Sequence, residues 1–132
     1  MKGNKYMYVA YICSPFKAET ETELDNHIEY AQHLTRLALE AGLAPITPHL
    51  YITQVTDENQ PIERQQGLAA GAELLKKCDV VITGNKYGIS EGMAAELMIA
   101  RDEEILILNG CDEATPEEIA DVIGRVMGKP LF

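Results

Sequence analysis

The stretch DVVIT, residues 79–83, places three consecutive β-branched apolar residues in one short segment. A strand with one face in water alternates apolar and polar residues, whereas a strand covered on both faces is apolar throughout. Strands of the second kind occur in parallel sheets that lie between two layers of helices. The stretch therefore predicts a buried parallel strand and, with it, an α/β fold.

Strands and helices alternate on both sides of this segment. Strand patterns cover residues 6–13, 44–47, 79–83 and 105–108, and helical patterns cover residues 22–41, 61–77, 91–101 and 115–127. A polar loop is predicted at residues 48–60. This alternation predicts a three-layer sandwich, with a flavodoxin-like or Rossmann-like parallel sheet of about four to five strands in the order 2-1-3-4. We expect residues 1–132 to form a single domain of this kind.

The composition argues against several classes of partner. The chain has 132 residues, with 21 acidic and 11 basic side chains and a formal charge of −10, whereas nucleic-acid binding needs basic residues against the phosphates. No apolar run approaches the roughly 20 residues of a membrane-spanning helix. The N-terminal segment is basic and then apolar but has no small-residue cleavage site, which predicts a cytoplasmic protein. We expect neither a nucleic acid nor a membrane as partner.

Metal ions and cofactors are not predicted. The three cysteines, Cys13, Cys78 and Cys111, are scattered and lack CxxC spacing, which argues against a zinc site and a disulfide framework. His27 and His33 share a predicted helix but lie about 120° apart around it. We therefore expect no metal site and no bound cofactor.

The segment GISEGMAAEL, residues 88–97, allows two chemical interpretations. Its first five residues fit G-x-S-x-G, the turn that presents a nucleophilic serine in hydrolases. That turn follows its strand directly and precedes the triad histidine, whereas here residues 84–87 intervene and all three histidines precede Ser90. The serine-hydrolase match is therefore interpreted as coincidental.

Glu96 is the second candidate in this segment. Gly92, Ala94 and Ala95 precede it in the predicted helix, and small residues there let a ligand approach the free N–H groups of the helix N-terminus. A glutamate at that place can accept hydrogen bonds from sugar hydroxyls or attack an anomeric carbon. The alternative is a surface glutamate paired with Arg101 or another neighbour, beside small residues that merely pack on the sheet.

Ligands of open parallel sheets bind beyond the carboxyl ends of the strands, where the strand order reverses. Four segments follow the predicted strands: residues 14–17, 48–51, 84–92 and 109–112. Gly88, Ser90 and Gly92 belong to the third of these segments. This rule places the candidate site where these four segments meet.

The residues from Ser90 to Glu96, SEGMAAE, carry a resemblance to a known family. The sequence resembles the nucleoside 2-deoxyribosyltransferase superfamily, near the 2'-deoxynucleoside 5'-phosphate N-hydrolases, and more closely a group of small uncharacterised bacterial and phage proteins. Gly92 matches a family glycine four residues before the catalytic glutamate, and Ser90 matches a serine that contacts the 5'-phosphate in the nucleotide hydrolases. Tyr11 matches the tyrosine of the first strand, and His49 matches a histidine that follows the second.

The resemblance implies an activity and a set of site residues. Glu96 would attack C1' of a (deoxy)ribosyl group, Tyr11 would position it, and water or a second base would resolve the glycosyl-enzyme. The implied substrate-binding residues are Ser14, His49, Ser90, Gly92 and Met93. The ligand would be small and nucleoside-like, and Ser90 favours a 5'-monophosphate over a free nucleoside. A homodimer or larger homo-oligomer is expected, because members of the superfamily complete their sites across an interface.

Two departures from the family pattern keep other functions open. The family's second active-site carboxylate corresponds to Gly71, and residues 14–17 read SPFK where phosphate-binding relatives have arginine and glycines. The first hypothesis is an N-glycosidase or deoxyribosyltransferase, and the second is a non-catalytic pocket for a nucleotide or metabolite. The third is a role in assembly or in regulation of a partner, for which Gly67 and Gly71 would allow close helix packing.

Overall fold

The computed structural model describes residues 6–131, in which strands and helices alternate along the chain. The strands are β1 (Val9–Cys13), β2 (Ala44–Ile46), β3 (Val80–Thr83) and β4 (Leu106–Leu108). The helices are α1 (Glu21–Glu40), α2 (Ile52–Val55), α3 (Pro61–Lys76), α4 (Glu91–Asp102) and α5 (Pro116–Met127). Two short 3-10 helices occupy Pro48–Leu50 and Cys111–Glu113. The single domain predicted for residues 1–132 extends at both ends beyond the described residues.

The four strands form one parallel sheet in the order β2-β1-β3-β4. Tyr11 of β1 is in register with Ile46 of β2 on one side and with Val81 of β3 on the other. Val81 in turn pairs with Ile107 of β4. The predicted α/β class, parallel sheet and strand order are confirmed. The chain winds outward in opposite directions from β1 and β3, so the strand order reverses between them.

Helices cover both faces of this sheet. Side chains of α1 and α5 form one buried cluster with Ala10 and Ile12 of β1, and side chains of α3 and α4 form a second cluster with Tyr11 and Cys13. Successive side chains of a strand point to opposite faces, which explains why these four residues divide in this way. Tyr11 and Cys13 therefore face the helix layer that carries Glu96.

The predicted loop at residues 48–60 is wrong in part, because it contains the 3-10 helix Pro48–Leu50 and the single turn α2. Proline is well suited to the first position of a helix, where an N–H needs no partner inside the helix. The Thr53 hydroxyl donates back to the carbonyl of His49 at 2.7 Å. Helix α2 has four residues and no buried side chain, so it leaves no apolar periodicity in the sequence.

The predicted ends of the other elements agree with the structure to within three residues, the largest difference being the start of β1 at Val9 instead of residue 6. The start signal of α5 is confirmed as a capping box. The Glu118 N–H donates to Thr115 Oγ1 at 3.1 Å, and the Thr115 N–H donates to Glu118 Oε1 at 3.0 Å. Within residues 6–131, no helix is long and apolar enough to cross a bilayer.

Candidate active site

The candidate site lies at the carboxyl ends of β1 and β3, where the strand order reverses. β1 ends at Cys13 and leads into Ser14, and β3 ends at Thr83. The Thr83 hydroxyl donates to the Cys13 carbonyl at 2.8 Å and ties the two ends together. Helix α4 contacts β1 and brings Glu96 to this region. This is the position at which open parallel sheets bind their ligands.

Glu96 and Tyr11, which are 85 residues apart in sequence, are joined by a hydrogen bond. The Tyr11 hydroxyl donates to Glu96 Oε2. Tyr11 is 1% exposed, and Glu96 is half-buried on the side of α4 that faces the sheet. Glu96 is therefore not the exposed partner of Arg101 that the alternative interpretation requires.

Burial governs the ionisation of this pair. Burial raises the pKa of Glu96, and hydrogen bonds from the Tyr11 hydroxyl and the Cys13 thiol oppose that rise. Burial also raises the pKa of Tyr11 far above its usual range, and the neighbouring Glu96 charge raises it further. Tyr11 therefore stays protonated and acts as a donor. Cys13 is a site residue that the sequence analysis missed, although its position two residues after Tyr11 on one strand face is a usable signal.

Helix α3 passes close to the pair at Gly71. A Cβ atom there would lie 3.4 Å from the Tyr11 hydroxyl oxygen, so the position that the resemblance assigns to a second carboxylate does adjoin Tyr11. In this chain it presents bare backbone instead of an acid. A Cβ atom at Gly67, one turn earlier, would lie 3.4 Å from Ile52 of α2, so these two glycines serve packing within the chain.

Three of the predicted binding residues lie at the N-terminus of α4. Ser90 Oγ accepts a capping hydrogen bond from the Met93 N–H at 3.2 Å, while its own hydroxyl hydrogen is free to point elsewhere. Gly92 is exposed, and a Cβ atom there would meet only Ser90 Oγ, at 4.0 Å, so a ligand has access to the helix backbone. The Met93 side chain is instead 1% exposed in the core cluster with Tyr11. Its predicted contact with substrate is therefore restricted to the backbone.

Ser14 and His49 lie beside each other after β1 and β2. Ser14 is 1% exposed, and neither Ser14 Oγ nor His49 Nδ1 has a hydrogen-bond partner among the described residues. The His49 ring stacks on Phe16, with ring centroids 5.1 Å apart. Burial is the main cause that lowers the pKa of His49. A hydrogen bond with the Ser14 backbone acts in the opposite direction, and the nearby His27 lowers the pKa further. The imidazole is therefore neutral near pH 7.

A cluster on the other side of β3 was not predicted from the sequence. Asp112 accepts hydrogen bonds from the Tyr30 hydroxyl and, at 2.6 Å, from the Asn85 N–H. Partial burial alone would raise the pKa of Asp112, but these hydrogen bonds lower it overall. Gly84 lies against this pair so closely that a Cβ atom would overlap both side chains. The cluster joins α1 to the segments that follow β3 and β4, and so holds the chain leading to Ser90.

The cluster also borders an open cleft of about 310 Å³, which does not include Tyr11 or Glu96.

Among residues 6–131, no three His, Cys, Asp or Glu side chains are arranged to hold a metal ion. All three cysteines are buried, and none of them forms a disulfide.

A comparison with known protein families finds a match for most of the chain. The family described as "Domain of unknown function (DUF7768)" matches residues 8–109, which cover β1 to β4 and both partners of the Tyr11–Glu96 hydrogen bond. The chain belongs to the DUF7768 family. No curated protein matches this DUF7768 chain significantly.

Ten chains of solved structures match the DUF7768 fold. One is the 2-deoxyribosyltransferase of the psychrotolerant bacterium Bacillus psychrosaccharolyticus, described as a biocatalyst for the synthesis of antiviral and antitumoral nucleosides. The TM-score is 0.62 over 85% of this chain and 79% of the other, at 15% sequence identity. At that identity the likeness shows the fold alone. It confirms the fold expected from the resemblance, while membership of the deoxyribosyltransferase superfamily stays a prediction.

Proposed function

We propose that this DUF7768 protein cleaves the N-glycosidic bond of a nucleoside or nucleoside 5'-monophosphate, with Glu96 as nucleophile. The observation that supports this most directly is the hydrogen bond from the Tyr11 hydroxyl to the half-buried Glu96 carboxylate, at the point where the strand order reverses. The likeness of the fold to a 2-deoxyribosyltransferase adds support. Cytoplasmic residence, expected from the N-terminal sequence, is part of the same proposal.

In the proposed reaction the carboxylate acts first as a nucleophile and then as a leaving group. Glu96 Oε attacks C1' of the sugar, the C1'–N bond breaks, and its electron pair leaves with the base, which takes up a proton from solvent. Water or the N–H of a second base then attacks C1', gives up its proton to solvent and releases the carboxylate, giving hydrolysis or transfer. A nucleophile of this kind has to be ionised and poorly solvated. Burial keeps Glu96 poorly solvated, and the hydrogen bond from the Tyr11 hydroxyl favours its ionised form.

An alternative function is non-catalytic binding of a nucleotide or metabolite in the same pocket. The observation that favours it is Gly71, which lies beside Tyr11 where the resemblance implies a second carboxylate. A pocket of this kind needs only hydrogen-bonding groups, which Glu96, Ser14 and His49 provide. The two functions make opposite predictions for bond cleavage.

Base release tests the proposal directly. Wild-type protein is incubated with a panel of nucleosides and nucleoside 5'-monophosphates, with and without a second free base, and the products are separated by chromatography. Release of free base is expected from at least one substrate, and a new nucleoside with the added base would indicate transfer. No release from any substrate, together with ligand-induced thermal stabilisation, would establish the binding alternative.

We further propose that the chain self-associates through α3. None of residues 61–70 is buried, although this half of the helix carries Ile62 and Leu68, which are 73% and 56% exposed. Exposed apolar side chains on a half-helix that buries none of its residues favour association. Helix α3 also reaches Tyr11 at Gly71, so a second copy covering α3 would border the candidate site.

A charge placed on α3 is expected to weaken this association. Leu68→Glu should raise the dissociation constant by roughly tenfold or more, because the carboxylate would be desolvated in the interface. Val126→Glu is the matched control, since Val126 is 60% exposed on α5, in the opposite helix layer. Sedimentation equilibrium of the wild type and both variants measures the effect. A monomeric wild type, or equal weakening by both substitutions, would contradict association through α3.

A further inference from the structure

The open cleft beside the Tyr30–Asp112 hydrogen bond has no role in the reaction proposed for Glu96. Its volume of about 310 Å³ is at the lower end of the range for small-molecule sites. Helix α1 lines it from one side, together with segments that follow β3 and β4, so the cleft is separate from the Tyr11–Glu96 pair in the opposite helix layer. Its aromatic and titratable lining residues are Glu29, Tyr30, His33, Lys86, Tyr87 and Asp112.

Two tyrosines form an aromatic corner in this cleft. The rings of Tyr30 and Tyr87 meet edge to face, with centroids 5.2 Å apart and an interplanar angle of 87°. Lys86 Nζ lies 5.5 Å from the centroid of the Tyr87 ring, a distance at which an ammonium group is attracted to an aromatic face. Lys86 and Tyr87 are both exposed, so solvent reaches this contact. The corner therefore already holds an ammonium group, which the chain itself supplies on a flexible stem.

Carboxylates add negative charge to the same cleft. Asp112 is held by hydrogen bonds from the Tyr30 hydroxyl and, at 2.6 Å, from the Asn85 N–H. Partial burial alone would raise the pKa of Asp112, but the hydrogen bonds lower it overall, so this carboxylate is ionised near pH 7. Glu29 is an exposed second carboxylate on α1. With His33 neutral, the lining carries two negative charges and one positive, and the whole chain carries −10. This charge balance favours a cationic ligand.

We propose that the cleft is a second ligand site, which binds an aliphatic di- or polyamine with one ammonium group over the Tyr87 ring. That ammonium takes the place of Lys86 Nζ, and another interacts with the carboxylates of Glu29 and Asp112. An amine with two or more ammonium groups uses the ring and a carboxylate at once, which a single small cation cannot do. Its methylene groups pack on the tyrosine rings, as the stem of a lysine side chain does. This inference does not depend on the reaction proposed for Glu96.

The role of the ring is tested by isothermal titration calorimetry with spermidine at constant low ionic strength. Tyr87→Leu removes the aromatic face and should raise the Kd by roughly three- to tenfold. Tyr87→Phe keeps the face and should bind within about twofold of the wild type. Lys86→Met removes the competing ammonium, so its Kd should fall by roughly threefold or more. Both side chains are exposed, which makes these substitutions compatible with folding.

The role of the carboxylates is tested in the same titrations. Glu29→Gln removes one negative charge from the cleft and should raise the Kd by roughly threefold. Glu40→Gln is the matched control, because it removes an exposed carboxylate from the last residue of the same helix, outside the cleft. Its Kd should equal that of the wild type.

Several outcomes would overturn the inference. The wild type could fail to bind spermidine, or Tyr87→Leu could bind it as tightly as the wild type. Equal weakening by Glu29→Gln and Glu40→Gln would show attraction to the overall negative charge alone. Inorganic phosphate is titrated as the opposite ligand, and phosphate binding that disappears in Lys86→Met would show that the cleft takes anions instead.

Discussion

Glu96→Gln is expected to abolish base release while the chain stays folded. The amide keeps the shape of the side chain and can still accept a hydrogen bond from Tyr11, but it cannot form the bond to C1'. Removal of a nucleophile lowers kcat by at least about 10³-fold in enzymes whose mechanism passes through it. The measurement is the single-turnover rate of base release by wild type and variant on the best substrate of the panel.

The matched control is Glu103→Gln, which removes an exposed carboxylate at the end of the same helix. Its rate should equal that of the wild type. Circular dichroism and the Tm establish that both variants are folded. A Glu96→Gln rate within about tenfold of the wild type would rule out Glu96 as nucleophile.

Glu96→Gln should also change how the stability of the folded chain depends on pH. Burial raises the pKa of Glu96 above its ordinary value of 4.5, so the folded chain binds this proton more tightly than the unfolded chain. The wild type therefore loses stability, relative to Glu96→Gln, as pH rises through the interval between the two pKa values. The Tm of the variant minus that of the wild type should increase above about pH 4.5 and level off beyond the raised pKa. A difference that stays constant from about pH 4 to 8 would contradict this assignment.

Gly84→Ala is expected to lower the free energy of unfolding by about 2–4 kcal/mol, the combined cost of overpacking and a weakened hydrogen bond to a charged group. The added methyl group would overlap the Tyr30 hydroxyl and the Asp112 carboxylate, so these side chains or the end of β3 must move. For a chain of 132 residues this corresponds to a fall in Tm of roughly 10 °C. Urea unfolding and thermal melts measure it.

Two further variants identify the cause of that loss. Gly92→Ala adds the same methyl group in a helix with open space around it, and should leave stability unchanged or slightly raised. Tyr30→Phe removes the overlapping hydroxyl oxygen and leaves the Asp112 carboxylate. The double variant with Gly84→Ala should therefore lose less stability than the two single losses added together. Strict additivity would mean that Tyr30 is not the obstacle.

The elements of the fold were predictable because their signals are local. The apolar run at residues 79–83 and the capping signal at Thr115 each lie within a few residues, and both elements form where expected. Helix α2 was not predictable, since its four residues bury no side chain and leave no pattern. Strand alternation in β1 correctly places Tyr11 and Cys13 on one face of the sheet, although the sequence analysis considered Cys13 only as a metal ligand or disulfide partner.

The sequence by itself determined the α/β class, the order of the elements and the identity of Glu96 and Tyr11 as the residues to test. Only the tertiary structure decided that these two side chains meet, that Met93 turns into the core, and that Gly84 has no room for a methyl group. The reason is the range of the interactions involved. Periodicity and capping depend on residues a few positions apart, whereas the contacts at the site join side chains up to 85 residues apart through the packing of separate elements.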